Sequence, residues 1–158
     1  NVVLPDIARY AGNARMLVVS PNKQDVYDMC KELGVGWHHY HHYGETADDV
    51  RRAIRDFDKL CICAASLSKF EDYPELQRFD VIYVDGYHLG DQVYKDCSNA
   101  WKYLKKDGLL ICDDFIWGDN ENIKNNPCFS INQFLKDIKN LHKLERVSNS
   151  QIFIKKIK

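Results

Sequence analysis

The sequence predicts a single-domain, doubly wound α/β fold: a mostly parallel sheet with an antiparallel C-terminal end. Short apolar, β-branched runs alternate with segments of helical spacing over the whole chain, the pattern of strand and helix units in a parallel sheet. Two of these runs, Val81 to Val84 and Gly108 to Cys112, flank one amphipathic segment long enough for a crossover helix, which makes them parallel neighbours. The last run, Glu145 to Ile157, is interrupted only by Ser148-Asn149-Ser150, which suits two short strands joined by a tight turn.

Each element has its own signals. After Pro5, Ile7, Ala8 and Ala11 share a helical side and Gly12 is a stop. Arg15 to Ser20 is a strand ending in Ser20-Pro21-Asn22, and Gln24 to Leu33 follows with helical spacing at Val26, Met29, Cys30 and Leu33. Gly36 to Tyr43 has aromatic strand character, and Thr46 caps a helix through Asp49 to Phe57. Lys59 to Ala65 is a third buried-type strand, followed by a polar connection with room for one helical turn. Phe79 to Val84 is the next strand. Gly90 to Leu104 places Val93, Cys97, Ala100, Trp101 and Leu104 on one helical face, and Lys105-Lys106-Asp107-Gly108 supplies cations and a turn at its end. The run after Trp117 is a loop closed by Pro127, and Ser130 to Leu141 is a helix with Ile131, Phe134, Leu135, Ile138 and Leu141 inward.

A chain of 158 residues with 45% apolar content supports one core. Lys and Arg (22) nearly cancel Asp and Glu (23), so charge asks for neither nucleic acid nor an anionic membrane surface. No apolar run approaches a membrane span, and Asn1 is neither an initiator methionine nor the start of a signal peptide, which leaves open a loss of residues before it. The six cysteines are scattered and include no CxxC; reduced thiols in a cytoplasmic setting are expected. Oligomeric state is open, a homo-oligomer included. His38, His39, His41 and His42 invite a zinc or copper reading, but no acid or cysteine lies at ligand spacing, and strand filling is the simpler role.

The functional signal lies between Phe79 and Trp117. One strand ends in Asp85-Gly86-Tyr87-His88 and the other in Asp113-Asp114. Parallel pairing carries three carboxylates and a histidine to one sheet edge, where such sheets bind ligands. Taken alone, each acid is as readily a solvated strand end or a helix cap.

FDVIYVDGYH at 79 to 88, the helix after it, LKKDGLLICDDFIW at 104 to 117 and a final strand ending SQIFIKK resemble the Rossmann-like class I S-adenosylmethionine-dependent methyltransferases, in particular small-molecule O-methyltransferases of the catechol and macrocin or sugar type. The resemblance covers about the last half of the chain. It implies a divalent cation, Mg²⁺ or a similar ion, on Asp85, Asp113 and Asp114, with His88 at the position of a general base. In this register Ser20 ends the first strand, Glu45 falls where an acid meets the cofactor ribose, and Ala65 and Ser66 fall near the adenine edge, with Asp85 also beside the cofactor. The acceptor implied is a small hydroxylated molecule.

One departure is plain: the loop Ser20-Pro21-Asn22-Lys23 contains no glycine, whereas the family's first loop is glycine-rich so that backbone can approach the cofactor. A second register makes Arg15 to Ser20 the second strand and puts the glycine loop before Asn1. The first register is preferred because it gives five parallel strands without missing pieces. The glycine-free loop keeps open a different class, a binding or regulatory module of methyltransferase architecture that has lost the cofactor. A likeness of Arg15 to Leu67 to a helicase motor domain is generic, with no phosphate loop to support it.

Overall fold

The structure, a computed structural model, describes residues 3–40, 46–67, 77–118, 122–148 and 150–158. In chain order the elements are α1 (Leu4–Ala11), β1 (Met16–Ser20), α2 (Lys23–Leu33), β2 (His38–Tyr40), α3 (Ala47–Asp56), β3 (Lys59–Cys63), α4 (Ala64–Leu67), β4 (Phe79–Val84), α5 (Gly90–Tyr103), β5 (Leu104–Cys112), a 3₁₀ turn (Ile123–Asn125), α6 (Pro127–Asp137), β6 (His142–Val147) and β7 (Ile152–Lys156). The strands form one seven-stranded sheet in the order β2-β3-β1-β4-β5-β7-β6. The first five in that order are parallel, and β7 and β6 run antiparallel. This is the predicted doubly wound, Rossmann-like architecture.

Alternation along each strand divides the core between the two sheet faces. Leu17, Val19, Leu60, Ile62, Ile82, Val84 and Leu110 pack with Ile54, Cys97, Ala100, Trp101 and Phe134 from α3, α5 and α6. Met16, Val18, Cys61, Tyr83 and Ile111 face the other way, onto Leu4 and Ile7 of α1 and Val26 and Cys30 of α2. The five buried residues of β1 confirm its central place, with β3 on one side and β4 on the other.

Local chemistry explains most boundaries. Asn22 accepts from the backbone N–H groups of Gln24 and Asp25 at the start of α2, and Thr46 and Asp49 form a capping box on α3. Pro127, read from sequence as the close of a loop, is instead a first-turn residue of α6, capped by Asn126; proline loses no helical hydrogen bond there. The Lys105 to Gly108 segment, expected as a turn before the strand, lies within β5. Phe79 pairs with Leu104 but Val81 pairs with Leu109, so these residues bulge from the ladder. Asp107 has φ 65°, and a Cβ on Gly108 would lie 2.8 Å from Leu104 Cδ1 and 2.9 Å from the Lys105 carbonyl oxygen. Only glycine fits that approach.

Lys156 closes the far end of α5. Its buried ammonium donates to the carbonyls of Trp101 (3.0 Å) and Leu104 (2.9 Å) and lies over the Trp101 ring. At the same end of the sheet, Arg15 donates to the carbonyls of Ile54 and Phe57 and pairs with Asp58. Chemistry is left to the opposite, carboxyl edge.

Candidate active site

β1 and β4 are adjacent, and the chain leaves them toward opposite sides of the sheet. The crevice at their carboxyl ends is therefore the switch point where open α/β sheets bind ligands. Asp85 begins there, its N–H donating to the Val19 carbonyl at 2.9 Å, and Asp113 stands beside it, donating to the Val84 carbonyl at 2.9 Å.

The structure gathers Asp85, His88 and Asp114, with one ligand atom from each within 4.8 Å of the others. His88 Nδ1 lies 3.4 Å from Asp114 Oδ2, and its ring meets Trp117 with centroids 4.5 Å apart. Asp114 reaches the cluster from the left-handed region, φ 51°, which aspartate tolerates better than most side chains. Its N–H donates to Asp113 Oδ1 at 3.0 Å.

Asp113 is turned to another task. Tyr83, on the α1 and α2 face of β4, donates its hydroxyl to Asp113 Oδ2, so both Asp113 oxygens have protein partners. The resemblance implied Asp85, Asp113 and Asp114 as ligands and His88 as a base; the set within 4.8 Å is Asp85, His88 and Asp114, and Asp113 lines the same hollow as Asp85 and Asp114.

The field at this edge is negative. Burial first, then the charges of Asp113 and Asp114, push the Asp85 carboxyl up to about 6, with His88 opposing. Asp114 is raised by burial and by Asp113, again against His88. Burial and Asp113 also push the Tyr83 phenol far above its usual range, so it remains a donor. Crowding of carboxylates at a partly buried edge is what raises them.

Three hollows with lining residues in common border this edge. One of about 570 Å³ lies on the α5 side, between Pro21, Ala64, Ala65, Tyr87 and Asp96. A second, about 380 Å³, shares Pro21 and runs past Asp25, Asp28 and Glu32 to Asp85 and His88. A third, about 340 Å³, reaches Asp85, Asp113 and Asp114 from the α1 side.

The methyltransferase domain family matches residues 2–115. The chain belongs to that family. This methyltransferase has the class I S-adenosylmethionine-dependent fold, and solved structures resemble it over nearly its whole length. An O-methyltransferase from Bacillus cereus in complex with S-adenosylhomocysteine is 14% identical, with 99% of this chain and 82% of that chain covered and a TM-score of 0.53. A Podospora anserina methyltransferase with bound S-adenosylhomocysteine is 11% identical, covering 98% and 78%, with a TM-score of 0.54. MycE of the mycinamycin biosynthetic pathway, solved with Mg, S-adenosylhomocysteine and mycinamycin VI, is 13% identical and covers 98% of this chain but 49% of its own, with a TM-score of 0.53. At these identities the likeness is one of fold. No curated protein sequence matches.

Of the remaining expected cofactor residues of this methyltransferase, Ala65 alone among the described ones lines a hollow at this edge. Ser20 and Ser66 are fully buried, and neither hydroxyl has a hydrogen-bond partner; Ala65 lines the hollow on the α5 side. Glu45 lies outside the described residues. The strand before it, β2, is at the sheet edge, and β3 rather than β2 adjoins β1. The cofactor fits the crevice by size, since about 570 Å³ lies within the range of small-molecule sites. One feature differs from a glycine-rich cradle: Asn22 occupies the first N–H groups of α2, so those donors are already engaged.

Of the histidine run, His38 stacks on Phe57 with centroids 3.9 Å apart and His39 meets Tyr27 at 4.3 Å, while His41 and His42 lie outside the described residues. Sequence reasoning passed over Tyr83 and Asp96. Asp96 carried a signal, an acid at inward helical spacing between Val93 and Ala100; Tyr83 read only as strand filling.

Proposed function

We propose that this protein transfers the methyl group of S-adenosylmethionine to an oxygen of a small hydroxylated acceptor, such as a sugar or phenol, with a divalent cation held by Asp85 and Asp114. The observation that carries this reading is the set Asp85, His88 and Asp114, within 4.8 Å of one another, at the switch point of a methyltransferase-family fold. Carboxylate oxygens suit Mg²⁺ or a similarly hard ion. The ligands bound in the structural neighbours, S-adenosylhomocysteine in each and Mg in MycE, agree with it.

The bound cation would neutralise the crowded carboxylates and lower the pKa of an acceptor hydroxyl; the cofactor supplies the activated methyl. The chain's own groups do the rest. Asp114 Oδ2 at Nδ1 favours the His88 tautomer that carries its proton there, leaving Nε2 to accept the hydroxyl proton. Trp117 fixes the ring from its face. Trp117 and Tyr87, both half-exposed at the rim, offer flat apolar surface to a phenol or sugar ring.

Balanced charge favours a small-molecule partner over nucleic acid or membrane. Among the described residues no helix is long and apolar enough to cross a membrane. All six cysteines are free, including Cys97 and Cys112 with sulfurs 3.4 Å apart, which supports a reducing, cytoplasmic compartment.

The test is transfer of labelled methyl from S-adenosylmethionine to a panel of phenols, catechols and sugars, with Mg²⁺ and with EDTA. Transfer to an oxygen that chelation abolishes is expected. Transfer indifferent to EDTA removes the cation; transfer only to nitrogen or sulfur acceptors removes the oxygen.

A further inference from the structure

One buried side chain at the carboxyl edge is not used by the proposed transfer. Tyr83 stands in β4 between Val18 of β1 and Ile111 of β5 and is 3% exposed, so the neighbouring strands fix its ring. It borders the hollow on the α1 side. A phenol carries one proton, and Tyr83 gives it to Asp113 Oδ2. The hydrogen bond between Gln151 and the same hydroxyl therefore has the Gln151 amide as donor. Gln151 is itself buried, in the connection between β6 and β7, where the Ser150 carbonyl accepts from the Phe115 N–H at 2.8 Å.

The consequence falls on Asp113. Tyr83 engages one of its oxygens and the Asp114 N–H, at 3.0 Å, the other. The set of ligand atoms within 4.8 Å holds Asp85, His88 and Asp114, while Asp113 borders the hollow that Asp85 and Asp114 also line. Two carboxylates balance the charge of one divalent ion. A third would leave the site with net negative charge, take a coordination position from the acceptor oxygen and weaken the ion's pull on the acceptor proton.

We propose that Tyr83 is a positioning residue that acts through Asp113: by engaging that carboxylate it keeps the ligand set to Asp85, His88 and Asp114 and leaves the divalent cation a position for the acceptor hydroxyl. This rests on the cation reading above. The adjacent acids then divide their labour, Asp114 facing the ion and Asp113 the phenol.

The experiment is calorimetric titration of Mg²⁺ into the wild-type protein, Tyr83→Phe, Asp113→Asn and the double variant. Phenylalanine keeps the ring and its packing and removes only the hydroxyl, which releases Asp113 Oδ2. Tyr83→Phe should bind Mg²⁺ roughly 10-fold more tightly than wild type, because ligand charge sets affinity at such sites, while methyl transfer with Mg²⁺ slows. The gain should vanish when Asp113→Asn is added. A merely structural role for Tyr83 would weaken the site instead. Unchanged or weaker Mg²⁺ binding by Tyr83→Phe overturns the proposal and leaves the cation reading intact; so does a gain that persists in the double variant. If the wild type binds no Mg²⁺, the cation reading falls and the role of Tyr83 with it. Should Tyr83→Phe fail to fold, Asp113→Asn decides: a loss of Mg²⁺ affinity much smaller than that of Asp114→Asn supports the proposal, and an equal loss overturns it.

Discussion

Replacing Asp96 by asparagine should stabilise the ligand-free protein at neutral pH. Burial pushes the Asp96 carboxyl from 3.8 up to about 6, although Gln92 and Lys95 pull it down. The native state therefore disfavours the ionised form. Its penalty is absent below the unfolded pKa, grows as pH rises through the native value and is full above it. The interval from 3.8 to about 6 corresponds to roughly 3 kcal/mol, and integrating the two titrations leaves roughly half of that at pH 5. Asparagine keeps the shape without the charge, so Asp96→Asn should gain up to about 3 kcal/mol at pH 7.5, a rise in melting temperature of roughly 6–12 °C for a chain of this size, and a smaller gain at pH 5. Urea unfolding at the two pH values measures this directly. A variant less stable than wild type at pH 7.5, or a gain independent of pH, would refute the reasoning.

Other substitutions separate the remaining roles. Asp85→Asn and Asp114→Asn should each lower cation-supported methyl transfer by roughly 100-fold or more, the scale of Lewis-acid assistance, with S-adenosylhomocysteine binding by calorimetry largely retained. His88→Gln should lower kcat by roughly 100- to 10,000-fold, while cation binding weakens less than in Asp85→Asn. Lys156→Met leaves the Trp101 and Leu104 carbonyls without their shared donor and should destabilise the fold by about 2–4 kcal/mol, read by urea unfolding.

The periodic elements were legible because their signals are local. Thr46 and Asp49 announce a capped helix, Val93, Cys97 and Ala100 announce the inward face of α5, and Ser148 to Gln151 announces the final hairpin. What the sequence left hidden depends on chain neighbours far apart in order. The bulge of Lys105 to Gly108 arises because Lys105 reaches Asp80 at 2.7 Å while Leu104 is already paired with Phe79, a contest that local turn chemistry does not record. Pro127 looked like loop punctuation because proline marks both loop ends and helix starts, and only Asn126 before it separates the two.

At the site, the meeting of Asp85, His88 and Asp114 was legible from two strands ending in acid around one crossover. Which acid of the Asp113-Asp114 pair turns inward was not. That choice is made by Tyr83, whose hydroxyl engages Asp113, and by the left-handed backbone of Asp114. Neither leaves a mark in the order of residues. The place of β2 at the sheet edge, with β3 and β1 between it and β4, was likewise invisible, since alternation of strands and helices does not state which parallel strands become neighbours.

Calorimetric titration of S-adenosylmethionine into the wild-type protein, with and without Mg²⁺, tests the proposed activity most directly. Saturable binding of one cofactor per chain, accompanied by Mg²⁺ binding that Asp85→Asn abolishes, is the expected result. No heat of binding at millimolar cofactor, with or without the ion, would contradict it.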